Sequence, residues 1–330
     1  MTVDAFLFTL AVLLGYVYAF VGGFTDAANA IATSVGTRVL SPRAAVLMAG
    51  FFNLLGGLTG TAVAVTIGSG IVELTDLTLF TVIGGVAGAM SWSLITYFFG
   101  IPVSETHGLI GGLIGAGIAT AGADVVKWDT LTQVIGAIGL SPILGFLGAA
   151  TLLIIVYRLF HRVRRGRVMP LFVNLQRLSA AFMSFSHGRN DAQKPMGVVA
   201  LAVALYYGRS ELTVPLWLIV SAAGTAAVGT AVGGWRIIHT LGQRLVKLDP
   251  VQGFAAEVSG ASVIQVASQL GIPISTTHAI TSSILGAGAT KRLSAVRWGV
   301  TGQIFFSWLL TVPVAALLGG FYVVVLELLF

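Results

Sequence analysis

The chain has 330 residues, of which 56% are hydrophobic and only 9% charged, and its mean hydropathy is +0.94. Soluble domains carry about 25% charged residues, so a water-facing enzyme is excluded and the chain reads as a polytopic protein of the lipid bilayer. In that setting the net charge of +6 speaks for basic cytoplasmic loops and not for a nucleic-acid surface, and the absence of cysteine excludes disulfides and thiol chemistry.

Taken in order, apolar runs bounded by charged gaps predict ten membrane passes, at 5–37, 43–70, 78–99, 103–121, 130–157, 171–208, 212–235, 251–270, 274–290 and 298–327. The 42 glycines and the lack of long alternating stretches favour packed helices over a barrel. An all-α fold with about ten or more membrane segments is expected. The opening Met1-Thr2-Val3-Asp4 has no basic run, which predicts no cleaved signal peptide. Segments 5–37 and 171–208 exceed the roughly 20 residues that cross a bilayer. Each carries polar residues and glycine near its middle, so an interrupted helix is expected in both.

Placing the N-terminus outside puts 13 of the 18 basic residues in inside gaps, among them Arg38, Arg43, Lys291, Arg292 and the run Arg158–Arg167. The outside gaps then hold Lys127 and Arg209 with Asp4, Glu73, Asp76, Asp124, Asp129, Glu211 and Glu327. This asymmetry predicts both termini extracytoplasmic.

The halves resemble each other. Gly100-Ile101-Pro102-Val103-Ser104-Glu105-Thr106-His107 recurs as Gly271-Ile272-Pro273-Ile274-Ser275-Thr276-Thr277-His278, and Thr25-Asp26-Ala27-Ala28-Asn29-Ala30 parallels Asn190-Asp191-Ala192-Gln193-Lys194-Pro195. Five passes per half is an odd number, which inverts the second copy. The expected organisation is a first inverted repeat over 1–157, a basic cytoplasmic loop over 158–170 and a second inverted repeat over 171–330. Inverted repeats with interrupted helices characterise secondary transporters, whose site lies near the midplane.

Four acids fall within the predicted passes: Asp26, Glu105, Asp191 and Glu257. Each costs roughly 2.5–3.5 kcal/mol near the bilayer centre, so a partner, cavity or ion is expected beside each. On a helix Asp26 and Asn29 share a face, as do Asp191 and Lys194. The first pair offers oxygens suited to a hard cation such as sodium; Lys194 is placed either to pair with an anion or to stand in for a cation. The two Pro-x-Ser-x-Thr-His elements read as helix starts, with Ser104 and Ser275 as N-caps. Free N–H groups there bind phosphate-like anions, helped by the hydroxyls of Thr106, Thr276 and Thr277. His107 and His278 are placed to relay protons, donate to the anion or pack. No nucleophile elbow, zinc-protease motif or phosphate loop is present, and no enzymatic activity or cofactor is expected.

At these residues the chain resembles the inorganic phosphate transporter (PiT) family. Gly23-Phe24-Thr25-Asp26-Ala27-Ala28-Asn29-Ala30 looks like that family's first signature, and His187-Gly188-Arg189-Asn190-Asp191-Ala192-Gln193-Lys194 looks like the second. The resemblance covers essentially the whole chain. It implies phosphate uptake coupled to sodium or protons by alternating access, a homodimer, and a site formed by Asp26, Asn29, Asn190, Asp191 and Gln193 with the serine and threonine elements. Thr25 and Lys194 depart from the residues common in the family. A sulfate or other oxyanion symporter is the alternative from the same class, and an anion channel the alternative from another.

Overall fold

The computed structural model describes residues 2–73, 76–209 and 211–330. Among these residues the chain is helical, with two isolated β-bridges as the only extended pairings. In order the helices are α1 (Val3–Gly36), α2 (Pro42–Gly57), α3 (Ala62–Ser69), α4 (Leu79–Phe98), α5 (Glu105–Ala121), α6 (Trp128–Phe160), α7 (Arg165–Asp191), α8 (Gln193–Tyr206), α9 (Leu216–Val232), α10 (Trp235–His239), α11 (Pro250–Gln269), α12 (Thr276–Lys291) and α13 (Trp298–Leu329), with a π-helical turn Thr240–Leu245 after α10.

Helices α1, α4, α6 and α13 are each long and apolar enough to cross a membrane. Two bent pairs meet the same requirement together: α2 with α3, at 76°, and α9 with the segment Trp235–Leu245, at 57°. Apolar side chains stand on the outside of these helices. On α13 Phe306, Leu309, Leu317, Phe321 and Leu328 are all exposed, the pattern expected where the surrounding solvent is hydrocarbon. Helices α5, α11 and α12 are the most deeply packed, against α13, α7 and α6 respectively, while α7 packs on α11 and α2 and leaves Leu171, Leu178 and Phe182 exposed.

Three expectations about continuity are corrected. The segment 5–37 is not interrupted: α1 runs unbroken from Val3 to Gly36. Its glycines serve packing instead, since a Cβ on Gly23 would overlap the Ala226 carbonyl of α9 and one on Gly229 the Phe20 carbonyl of α1. The segment 171–208 does break, at Ala192. Pro195 has no N–H to donate to the Asp191 carbonyl four residues back. The single pass expected over 43–70 is two helices at a steep angle, and the residues after 235, expected as loop, form α10 and its π turn.

Features of the first half return in the second. Gly100 and Gly271 both have positive φ, at 68° and 69°. They turn the chain into the extended stretches before α5 and α12. Pro142 and Pro313 sit inside α6 and α13. Val72 bridges Val126, and Val246 bridges Val296. Helix α1 packs on α9 as α7 packs on α2, and α5 on α13 as α12 on α6. Phe330 meets Phe6 at 5.8 Å and Phe80 at 6.5 Å between ring centroids, so both termini lie at the same end of the bundle. At that end Lys127 pairs with Glu73 at 3.1 Å.

Candidate functional site

The site is assembled where α1, the α7–α8 break, α5 and α12 meet. Asp26 and Asn29 lie one turn apart on α1 and are 4% and 2% exposed. Ser104 and Ser275 cap α5 and α12 as the sequence predicts, each accepting a hydrogen bond at 3.1 Å from the backbone N–H of His107 and His278. The two helix starts are joined to each other. The Thr106 hydroxyl donates to the Ile274 carbonyl at 2.8 Å, and the Thr277 hydroxyl lies 2.9 Å from the Val103 carbonyl. The rings of His107 and His278 meet edge to face at 4.6 Å, and Trp308 stacks on His278 at 3.7 Å.

Threonines of α12 connect the two signature segments. Thr276 donates to Asp191 Oδ2 at 3.1 Å, and Thr277 Oγ1 lies 3.3 Å from Asp26 Oδ1. A hydroxyl carries one proton, so Thr277 serves either Asp26 or Val103 at any moment. Asn29 donates its amide hydrogens to Thr277 at 2.9 Å and Thr276 at 3.3 Å. That leaves Asn29 Oδ1, like Asp26 Oδ2, buried without a hydrogen-bond partner.

The charges converge on one point. Lys194 Nζ is 3.1 Å from Asp191 Oδ1 and 4.0 Å from Asp26 Oδ2, and all three side chains are largely buried. His187 Nε2 lies 3.1 Å from Asp191 Oδ2. One oxygen from each aspartate and a His187 ring nitrogen fall within 4.8 Å of one another, a set able to hold a cation. His187, named from the sequence only as the first residue of the second signature, belongs to this cluster, and its spacing of four residues from Asp191 on one helix was the available signal. Glu105 lines the same cavity, about 20 Å³, with Tyr18, His187, Asp191 and Lys194. Its Oε1 accepts from Thr25 at 2.8 Å and from Ser93, while Oε2 has no partner. A cavity of that volume admits about one water, so the groups are closed upon one another.

Three of the expected site residues are engaged elsewhere. Gln193 Oε1 accepts from the backbone N–H of Val63 at 2.8 Å and Ala64 at 3.2 Å. It thereby caps α3, whose own Thr61 does not. Asn190 donates to Ser268 of α11 at 3.0 Å. Glu257 is fully buried on α11, bound by Thr33 at 2.6 Å, Gln176 at 3.1 Å and Ser179. Thr33 stands seven residues beyond Asp26 on α1, about 10 Å along the axis, so Glu257 forms a separate polar cluster.

The family model described as the phosphate transporter family matches residues 22–319, which include all of these groups except Tyr18. The chain belongs to that family. Among family relatives, a Rhizobium meliloti (strain 1021) protein described as a probable low-affinity inorganic phosphate transporter is 46% identical over 303 residues, 91% of either chain. A Bacillus subtilis (strain 168) protein of the same description is 38% identical over 324 residues, 97% of each. A solved structure described as the sodium-dependent phosphate transporter superposes with a TM-score of 0.90 at 26% identity, covering 98% of this chain and 100% of that one. The family membership agrees with the resemblance read from the two signatures, and the superposition agrees with an all-helical polytopic fold.

Proposed function

We propose that this chain is a secondary transporter importing inorganic phosphate together with monovalent cations, sodium foremost, by alternating access. One observation carries the reading: two buried aspartates, one from each half, converge with Lys194 and the α12 threonines beside two mutually bonded helix starts. An anion is drawn to the helix starts and the lysine, yet two carboxylates repel it. Lys194 offsets only one of these charges, so phosphate sits beside Asp26 and Asp191 only when a further cation binds, which ties substrate binding to cation binding. The membrane potential makes the same demand. Carrying a divalent phosphate inward against 100 mV costs about 4.6 kcal/mol, at about 2.3 kcal/mol per charge, and two monovalent cations cancel that cost.

In this reading the phosphate-binding groups are Asp26, Asn29, Ser104, Thr106, Asp191, Lys194, Ser275, Thr276 and Thr277, with Asn190 and Gln193 supporting the α7–α8 break. Residues 1–157 and 171–330 are inverted copies, and the basic stretch between them is cytoplasmic. The matching caps, glycines and helix pairings of the two halves support this, as does the location of both termini at one end.

The test is uptake of labelled phosphate and of labelled sulfate into proteoliposomes, with sodium and proton gradients imposed separately. Concentration of phosphate against its own gradient, driven by sodium, is the expected result. Preference for sulfate would make the chain a sulfate symporter. Uptake indifferent to both cation gradients would make it a channel and overturn the proposal.

A further inference from the structure

The two signature segments place different groups at equivalent positions. Asp26 is followed three residues later by Asn29, and Asp191 by Lys194. On α1 the outcome is two oxygens, Asp26 Oδ2 and Asn29 Oδ1, that are buried and accept no hydrogen bond, with Asp26 Oδ2 standing 4.0 Å from the Lys194 ammonium. At the α7–α8 break the outcome is a filled place. The ammonium of Lys194 stands 3.1 Å from Asp191 Oδ1, on the side facing Asp26. A buried lysine next to two carboxylates is a cation that cannot leave.

Resting on the phosphate-import reading above, we infer that Lys194 is a tethered substitute for one coupling cation, so that this transporter moves one cation fewer per phosphate than the same site would with an amide at position 194. The remaining exchangeable cation site of this pair is the Asp26–Asn29 side, where two buried oxygens accept no hydrogen bond and Lys194 stands 4.0 Å from only one of them, a place for a hard ion. Lys194 is thus a residue that sets stoichiometry, distinct from one that merely holds the anion.

Two substitutions test this, with purified protein kept in sodium and reconstituted into liposomes at equal pH and zero potential. The readout is the power of the sodium gradient reached by phosphate at static head, or of the proton gradient if that alone drives wild-type uptake. Lys194→Asn installs the ligand pair found on α1 and is expected to raise that power by one. For a tenfold gradient this is about tenfold more phosphate accumulated, since each further cation contributes one further factor of the gradient. Asn29→Lys fills the other place and is expected to lower the power by one.

Unchanged powers in variants that still transport overturn the inference while leaving phosphate import intact. Should Lys194→Asn bind phosphate but not transport it, the cation dependence of phosphate affinity by calorimetry reads the same exponent. A folded Lys194→Asn that binds no phosphate at any sodium concentration also overturns the inference and makes Lys194 a direct anion contact. Should Lys194→Asn not fold, Asn29→Lys alone decides. Absence of phosphate uptake by the wild-type protein under either gradient would remove the functional reading and this inference together.

Discussion

The two aspartates occupy matching places but should respond differently when neutralised. At an effective dielectric of about 20, Lys194 attracts Asp191 at 3.1 Å by about 5 kcal/mol and Asp26 at 4.0 Å by about 4 kcal/mol. The two carboxylates, with oxygens no more than 4.8 Å apart, repel by at least about 3.5 kcal/mol. Asp26→Asn therefore loses about 4 kcal/mol and relieves at least about 3.5 kcal/mol, so it costs at most about 0.5 kcal/mol. Asp191→Asn loses about 5 kcal/mol and relieves the same repulsion, so it costs about 1 kcal/mol more than Asp26→Asn, with the Thr276 and His187 contacts weakened besides. In sodium-free detergent the Asp26 variant should melt no more than about 2 °C below the wild type, and the Asp191 variant a few degrees below the Asp26 variant. Adding sodium should then stabilise the wild type, by about 2.7 kcal/mol at a hundredfold excess over its dissociation constant, and should leave the Asp26 variant unmoved. In proteoliposomes both variants should lose more cation-driven accumulation than phosphate affinity at saturating cation. An Asp26→Asn protein with wild-type sodium stabilisation and wild-type accumulation would refute the reasoning and make that aspartate structural.

Ser104→Ala and Ser275→Ala each remove a helix cap, and each should cost about 1 kcal/mol of stability and weaken phosphate binding measured by calorimetry. Gln193→Ala should destabilise by a similar amount through loss of the α3 cap, with the sodium exponent of uptake unchanged. Gly115→Ala drives a methyl group into the Ala316 carbonyl of α13 and should lower the melting temperature by the equivalent of about 1–3 kcal/mol or more, as overpacking does. Cysteines introduced at positions 3 and 165 of this cysteine-free chain should label from opposite faces of intact cells, and labelling from one face would dismiss the inverted arrangement.

Much of this fold is legible in hydropathy, because a bilayer leaves few alternatives to helices whose outer faces are apolar. The helix starts at Glu105 and Thr276 are readable from Pro-x-Ser, since proline ends the preceding segment and serine caps the next helix. Breaks are harder. In α1 polar residues and glycines suggest an interruption, but Thr25, Asp26 and Asn29 bond sideways to α5 and α12 without disturbing their own backbone. At Ala192 the break has a covalent cause in Pro195, and that difference is written in the sequence. The bends between α2 and α3 and before α10 lie at glycines, Gly56–Gly60 and Gly233–Gly234, with Gly233 at φ 81°, but glycine in this chain also marks close contacts within unbroken helices. The site is legible where the repeat duplicates it, at Asp26, Asp191 and the α12 threonines. Gln193 and Glu257 read as part of it because their polarity is visible and their partners are not: the α3 amides and the Gln176–Ser179 face of α7 come from elements distant in sequence.

The paired bonds between the helix starts carry one more implication. Thr106 gives a hydrogen to the strand-like stretch before α12, and Thr277 reaches the stretch before α5. Each half lends one hydroxyl and one carbonyl. Under the inverted arrangement proposed here, exchanging the halves returns the same two bonds, so this clasp resists opening toward the cytoplasm and toward the exterior equally. It sets the height of the hill between the two states without tilting it. Any tilt has to come from residues that the exchange does not preserve: Glu105 against Thr276, next to the clasp itself, and Asn29 against Lys194.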